Sequence, residues 1–156
     1  MSNESAAAPP KTWSQIRVLR AIWIAAEVGR DGHKEFLRQF GLNMAEFDVL
    51  AALGNTEGLR MKDIAAGMMT SASASNVTRV CGALEKRGLV TRVRSPHSDR
   101  EVIARLTPEG QHRFEEIFPV IAAFTREFVD RRLSVEDQEQ AWRSLRRFID
   151  PESGTP

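Results

Sequence analysis

Apolar positions recur along this chain with two different periods, and the changes of period mark out its elements. Ile16, Leu19, Ala21, Ile22, Trp23, Ala26, Phe36, Leu37 and Phe40 fall at mostly helical spacing, which predicts a helix over residues 12–40. Gly29 and Gly32 are the positions where it would bend, and Gly41 is where it would stop. Asn43-Met-Ala-Glu46 has the form of a capping box, Asn43 accepting from the first free amides of a new helix and Glu46 reaching back. Phe47, Leu50, Ala51 and Leu53 follow on one face, and Gly54-Asn-Thr-Glu-Gly58 closes that helix with turn residues. A short helix is expected from Met61 to Met69, with Ile64, Ala65 and Met68 inward. Thr70 or Ser71 caps the next, which runs to Arg87 on a stripe of Val77, Val80, Cys81 and Leu84 and ends at Gly88.

The period then falls to two. Leu89, Thr91 and Val93 alternate with Val90, Arg92 and Arg94, and Val102, Ala104 and Leu106 alternate with Glu101, Ile103 and Arg105. These two strands are joined by a polar hairpin tip, Ser95-Pro-His-Ser-Asp-Arg100. Thr107-Pro108 starts another helix, with Thr as cap and Pro at the first helical position. It carries Phe114, Ile117, Phe118, Ile121, Phe124, Phe128 and Val129 toward Leu133, with a kink expected at Pro119. Ser134 caps a last helix bearing Ala141, Trp142, Leu145, Phe148 and Ile149. Four helices, a hairpin and two further helices make a mainly α chain with a small β-hairpin.

Composition narrows what such a chain can do. At 156 residues it fits one domain, or a small core with appendages, and it can bury a core without staples. A single cysteine excludes an intramolecular disulfide framework and points to a reducing, cytoplasmic setting. No apolar run approaches the roughly 18–20 residues of a membrane span. The start, MSNESAAAPPK, lacks the basic and then apolar pattern of a secretory signal, and residues 1–11 and 151–156 read as disordered tails. There is no glycine-rich phosphate loop, nucleophile elbow or cofactor fingerprint, His33, His97 and His112 lack metal-ligand spacing, and Glu115/Glu116 read as a solvated pair. An enzyme is therefore not expected, nor a cofactor or metal.

Charge is informative only in its distribution. The whole chain is +1, but Arg60–Arg105 holds nine Lys/Arg against four Asp/Glu, a local +5 on a remainder of −4. A basic module on an acidic body is the electrostatic footprint of phosphate binding. Within it, two short helices precede a basic hairpin. The second helix opens on Ser71, Ala72, Ser73, Ala74, Ser75 and Asn76, small residues that permit close approach and polar ones that bond bases or phosphates; Arg79 follows one turn on. Arg94 and the tip residues His97, Ser98 and Arg100 extend the set, the tip having a reach suited to a minor groove. The candidate DNA-binding residues are thus Ser71, Ser73, Ser75, Asn76, Arg79, Arg94, His97, Ser98 and Arg100.

These motifs, in this order, resemble the MarR (multiple antibiotic resistance regulator) family of bacterial transcription factors. The residues that carry the resemblance are Asn76-Val-Thr-Arg79, Leu84-Glu-Lys-Arg-Gly-Leu-Val90, Asp99-Arg100 and Leu106-Thr-Pro-Glu-Gly110, with Leu42–Leu50 similar to the family's second helix. The likeness covers roughly residues 15–150. It implies an α+β winged helix-turn-helix over 43–107, and dimerisation helices at 12–42 and 108–150 that intertwine in a homodimer. It also implies a recognition helix at about 71–87, a wing at 89–106, and a pseudo-palindromic operator in double-stranded DNA with half-sites about 10 bp apart. One feature departs from the family. Its wing usually has an acidic residue two places before the tip arginine, where this chain has Ser98, and Asp99 sits beside Arg100, so the carboxylate that orients Arg100 is left open.

The resemblance further implies a repressor released by a small aromatic or anionic effector bound between the dimer helices and the reading head. A urate- and phenolic-responsive subset uses a tryptophan, an aspartate and two arginines. Asp48, Arg79 and Arg92 match three of these; the tryptophan lies on an extra N-terminal helix that this chain is expected to lack, leaving Trp13 or Trp23 to approach the crevice. The candidate ligand residues are Trp13, Arg17, Phe47, Asp48 and Arg92, with Arg79 and Arg92 facing either phosphate or ligand. A redox-responsive or ligand-independent regulator, and a winged helix used for protein contacts, are the alternatives. Cys81, on the apolar stripe, reads as a core residue rather than a redox sensor.

Overall fold

The computed structural model describes residues 11–68, 74–95 and 98–150. Among the described residues six helices and three strands follow one another as α1 (Lys11–Arg38), α2 (Met44–Leu53), β1 (Leu59–Arg60), α3 (Met61–Gly67), α4 (Ala74–Lys86), β2 (Val90–Ser95), β3 (Ser98–Leu106), α5 (Pro108–Asp130) and α6 (Val135–Ile149). The strands form one antiparallel sheet in the order β1-β3-β2. The expected tails at 1–11 and 151–156 fall almost wholly outside the described residues.

Helix ends follow local chemistry. At the end of α1, Gly41 takes a φ of +65°, the Gly41 N–H donates to the Arg38 carbonyl and the Leu42 N–H to the Leu37 carbonyl, a Schellman closure. The same closure ends α4, with Gly88 at φ +73° and the Leu89 N–H on the Leu84 carbonyl at 3.0 Å. In both, the apolar residue after the glycine is buried beside its partner, Leu42 with Leu37 and Leu89 with Leu84. Asn43 and Glu46 form the expected capping box, each side chain taking the other's backbone N–H at 2.9 and 3.0 Å. Thr107 and Ser134 cap α5 and α6 by accepting from Gly110 and Asp137.

Some boundaries differ from the periodic reading. α1 runs unbroken through Gly29 and Gly32. A Cβ on Gly32 would lie 2.7 Å from the Phe128 ring, so this glycine serves close packing of α1 on α5 rather than a bend. α3 stops at Gly67 because Met68 turns extended, with ψ 136°. The hairpin is longer than its alternation suggested, since Ser95 pairs with Ser98 and the ladder closes at the tip. β1 is an added strand: Leu59 and Arg60 pair with Ala104 and Ile103 after Gly58 turns the chain at φ +131°.

One core joins the central elements. Leu37, Leu42, Val49, Leu50, Leu53, Ile64, Val77, Val80, Cys81, Leu84, Leu89, Val90, Ala104, Phe114, Ile117 and Ile121 are buried together. Polar contacts also tie α1 and the turn after it to α5, with His33 oriented from within α1. The His33 Nδ1 sits 2.8 Å from the Gly29 carbonyl oxygen and its Nε2 2.8 Å from the Thr125 hydroxyl, while Arg113 of α5 donates to the Phe40 carbonyl at 2.8 Å. Phe36 stacks on Phe124 with ring centroids 4.2 Å apart. The outer faces of the terminal helices are different in kind. Trp23 of α1 is 66% exposed and Phe148 of α6 68%, and α6 buries no residue.

α4, the wing and α5 cross at a closely packed point. The Leu89 carbonyl accepts from the Thr107 N–H at 3.1 Å, and a Cβ on Gly110 would fall 1.9 Å from that same oxygen. Gly110→Ala should therefore lower unfolding free energy by about 2 kcal/mol or more, the upper range for overpacking. Gly82→Ala in α4, where a Cβ would meet only the Arg92 guanidinium at 3.8 Å, should be neutral or stabilising by up to about 1 kcal/mol. Urea unfolding of the two variants side by side checks this; equal midpoints would overturn the packing argument.

Candidate nucleic-acid interface

α4 is oriented by its buried stripe. Val77, Val80, Cys81 and Leu84 are at most 2% exposed, which fixes the helix about its axis and turns Ser75, Thr78, Arg79 and Lys86 to solvent. Asn76 is half-buried at the edge of that face, and its amide oxygen accepts from Arg79 Nη2 at 2.9 Å. Two candidate contacts one turn apart are thus joined on the outer surface of the helix. Ser71 and Ser73, and the cap expected at Thr70 or Ser71, lie outside the described residues.

The wing leaves the core by degrees. On one face of the hairpin, Val90 pairs with Leu106, Arg92 with Ala104 and Arg94 with Val102. Val90 and Ala104 are buried, whereas Val102 and Arg94 are exposed, so the hairpin packs at its base and projects at its tip. His97 lies outside the described residues; for Ser98 and Arg100 only the backbone, in β3, is described.

Ion pairs decide which cations of the basic segment remain outward. Arg60 is held by Asp63 at 2.6 Å and by Glu101 at 3.6 Å, Arg87 by Glu46 at 3.3 Å, and Arg92 by Glu85 at 2.5 Å. The Arg60 hydrogen bond and charge hold the Asp63 carboxyl below its ordinary range. The hydrogen bond from Arg92 does the same to Glu85 against the opposing effect of burial, and Glu85 in turn raises Arg92. Lys62, Arg79, Lys86, Arg94 and Arg105 stand exposed.

Beside the wing is a cavity of about 360 Å³ between α3, α4 and the sheet. Arg60, Lys62 and Arg92 line it against one carboxylate, Glu101, while Thr78 adds a hydroxyl and Met61 and Val102 add apolar wall. An excess of cation beside apolar wall suits a small anion with a hydrophobic body. Of the ligand residues expected from sequence, only Arg92 lines this cavity. Phe47 and Asp48 are buried at 5% and 4% exposure, Arg17 is on the exposed surface of α1, and the Trp13 side chain lies outside what is described. Thr78, Arg60, Lys62 and Glu101 were not singled out by the sequence. Thr78 carried a signal, since it falls within the Asn76–Arg79 motif; the others become neighbours only through the fold. Among the described residues no group of three His, Cys, Asp or Glu is placed to hold a metal ion.

Comparison with known proteins gives consistent matches. The MarR family model matches residues 42–102. The uncharacterized HTH-type transcriptional regulator YkoM of Bacillus subtilis (strain 168) is 31% identical over 104 residues, 66% of this chain and 65% of the relative. The HTH-type transcriptional regulator MhqR of the same strain is 30% identical over 117 residues, 75% of this chain and 79% of the relative. Sco3205, a MarR family transcriptional regulator from Streptomyces coelicolor solved in complex with DNA, superposes with a TM-score of 0.79 at 25% identity, covering 99% of this chain and 94% of that one. BpsR of Bordetella bronchiseptica, whose DNA binding is regulated by 6-hydroxynicotinic acid, superposes with a TM-score of 0.76 at 22% identity, covering 86% of this chain and 99% of that one.

The same geometry fixes the state of the one thiol. Cys81 is fully buried in the stripe of α4, and burial pushes its thiol up to about 11, with Arg92 opposing and Glu85 adding to the shift. A thiol so placed is neither ionised nor reachable near neutral pH. The native protein should leave Cys81 unmodified by a maleimide over a time in which the urea-unfolded chain reacts completely. Comparable rates in the two states, read by mass spectrometry, would show that the thiol is accessible.

Proposed function

The chain belongs to the MarR family of DNA-binding transcriptional regulators, which are not enzymes, and from that premise we propose that it is a homodimeric repressor released from its operator by a small anionic aromatic effector. The observation that carries the DNA-binding part is α4 itself. Its inner stripe is fully packed, so Ser75, Asn76 and Arg79 are presented on a rigid outer face beside a basic hairpin. A helix presented in this way fits the major groove, with Asn76 reading base edges and Ser71, Ser73, Ser75 and Arg79 positioned for bases or phosphate. Arg94 follows the backbone, and His97, Ser98 and Arg100 at the wing tip reach the neighbouring minor groove.

The dimer reading is supported by the terminal helices. Ile16, Leu19, Trp23 and Ile24 of α1 and Trp142, Leu145, Phe148 and Ile149 of α6 leave apolar surface exposed at both ends of the chain. A helix of α6's length gains little stability alone in water, and an unburied apolar face on it calls for a second surface. In this reading residues 12–42 and 108–150 are the dimerisation segments and 43–107 the reading head. A twofold dimer would set two α4 helices about 34 Å apart, one turn of B-DNA, and read a pseudo-palindrome.

The effector reading is supported by the cationic cavity beside the wing and by the regulation of BpsR by 6-hydroxynicotinic acid. Binding there would favour a dimer whose α4 helices no longer match the groove spacing, a population shift away from the DNA-bound state. A setting in the cytoplasm, where the operator is, accords with this. No helix among the described residues is long and apolar enough to cross a membrane.

Two measurements test the reading. Light scattering should give twice the chain mass of 17.5 kDa, and Trp142→Asp should bring the mass down to that of one chain with loss of DNA binding. On a duplex selected from a random pool, Asn76→Ala should weaken binding by about 1–3 kcal/mol and relax base preference. Arg94→Ala and Arg100→Ala should each weaken binding on all sequences and reduce the salt slope by about one. If none of the three alters affinity while the dimer persists, the reading surface is wrongly assigned.

A further inference from the structure

β2 is an edge strand, paired with β3 on one side only, so part of its backbone needs partners from outside the sheet. Glu85, in the last turn of α4, supplies one. Its Oε1 accepts from the Arg92 backbone N–H at 3.2 Å, and its Oε2 accepts from Arg92 Nε at 2.9 Å and Nη2 at 2.5 Å. One carboxylate therefore holds both the main chain and the side chain of Arg92. It spans the turn at Gly88 and fastens the wing to the recognition helix. The pair is open to water, with the two side chains 31% and 37% exposed, so it is the kind of contact that another anion can enter and exchange.

The Arg92 guanidinium also lines the cavity of about 360 Å³, and Glu85 is not among the residues that line it. Inside the cavity the one carboxylate, Glu101, lies 3.6 Å from Arg60, which Asp63 holds as well. Arg92 is thus a cavity arginine whose carboxylate partner reaches it from another side. A planar guanidinium binds a carboxylate through two parallel N–H donors, and here Nε and Nη2 are both directed at Glu85. An anionic ligand seated in the cavity meets an arginine already committed.

We infer that Glu85 is an internal competitor for the effector's anionic group: an aromatic carboxylate in the cavity takes Arg92 from Glu85 and thereby unfastens the wing from α4. This rests on the effector reading above and adds the coupling between the two sites. Exchanging one carboxylate for another on the same guanidinium is close to isoenergetic, so the apolar contact of the ligand ring with Met61 and Val102 drives it. Where lock and ligand compete for one guanidinium, weakening the lock strengthens the ligand, by at most the factor by which the lock is weakened. Glu85 is accordingly a positioning residue for the wing rather than a DNA contact.

The experiment compares the full-length wild type with Glu85→Gln, using salicylate as the probe. The amide keeps a carbonyl that can accept the Arg92 N–H but removes the competing charge. Salicylate should bind Glu85→Gln about two- to fivefold tighter than wild type by calorimetry, and its ability to release DNA should shrink. In wild type, salicylate should speed hydrogen exchange of the Arg92 amide, a readout that does not depend on the variant folding. A purely structural role for Glu85 would alter stability and leave salicylate affinity unchanged. Equal affinity in both proteins, with DNA release intact and Arg92 exchange unmoved, overturns the competition and leaves the effector site standing. Salicylate binding to neither protein overturns the effector site and the competition together.

Discussion

The segment from α4 to α5 is held in register by one backbone oxygen and what crowds around it. The Leu89 carbonyl accepts the Thr107 N–H, while Gly110 lies so close that no side chain fits. The Thr107 hydroxyl donates to the Gly88 carbonyl at 2.6 Å and accepts from the Gly110 N–H at 3.0 Å. The end of α4, both ends of the wing and the start of α5 meet within these few residues. A shift of any one of the four moves the others, since a close-packed junction transmits displacement rather than absorbing it.

Around that junction, charge and burial divide the work. The apolar stripe Val77–Leu84 sets how far α4 can turn, and the Glu46–Arg87 and Glu85–Arg92 pairs join its final turn to α2 and to the wing. Exposed ion pairs of this sort add little to global stability. Their use here is geometric, because each spans two elements that the core alone would leave free to slide. The basic excess of the segment is therefore not all available to a ligand. Part of it is structural, while Lys62, Arg79, Lys86, Arg94 and Arg105 face outward.

How much of this was legible in the sequence depends on distance along the chain. The capping box at Asn43–Glu46, the stops at Gly41 and Gly88, and the Thr107-Pro108 start are local, and each reads correctly because its partners lie within five residues. The buried stripe of α4 is legible for the same reason. β1 was not, since two residues carry no period and pair only with a strand some forty residues on. Gly32 looked like a bend because its neighbour Phe128 is invisible to a local reading. Glu85 stood inside a quoted motif, yet its bond to Arg92 forms only after Gly88 reverses the chain. The cavity is less legible still: its walls come from two helices and the sheet, and of the expected ligand residues it gathers Arg92 alone.

α6 shows what a helix without a core of its own implies. None of its residues is buried by the rest of the chain, although it is capped at Ser134 and carries Trp142 and Phe148 along one side. In the proposed dimer its folding energy comes from another molecule, so the stability of each chain depends on how many copies surround it. At concentrations where dimers are scarce, the number of assembled reading heads rises with the square of chain number. A regulator built this way responds steeply to its own abundance before any effector arrives, and that steepness is set by a helix other than the one proposed to read DNA.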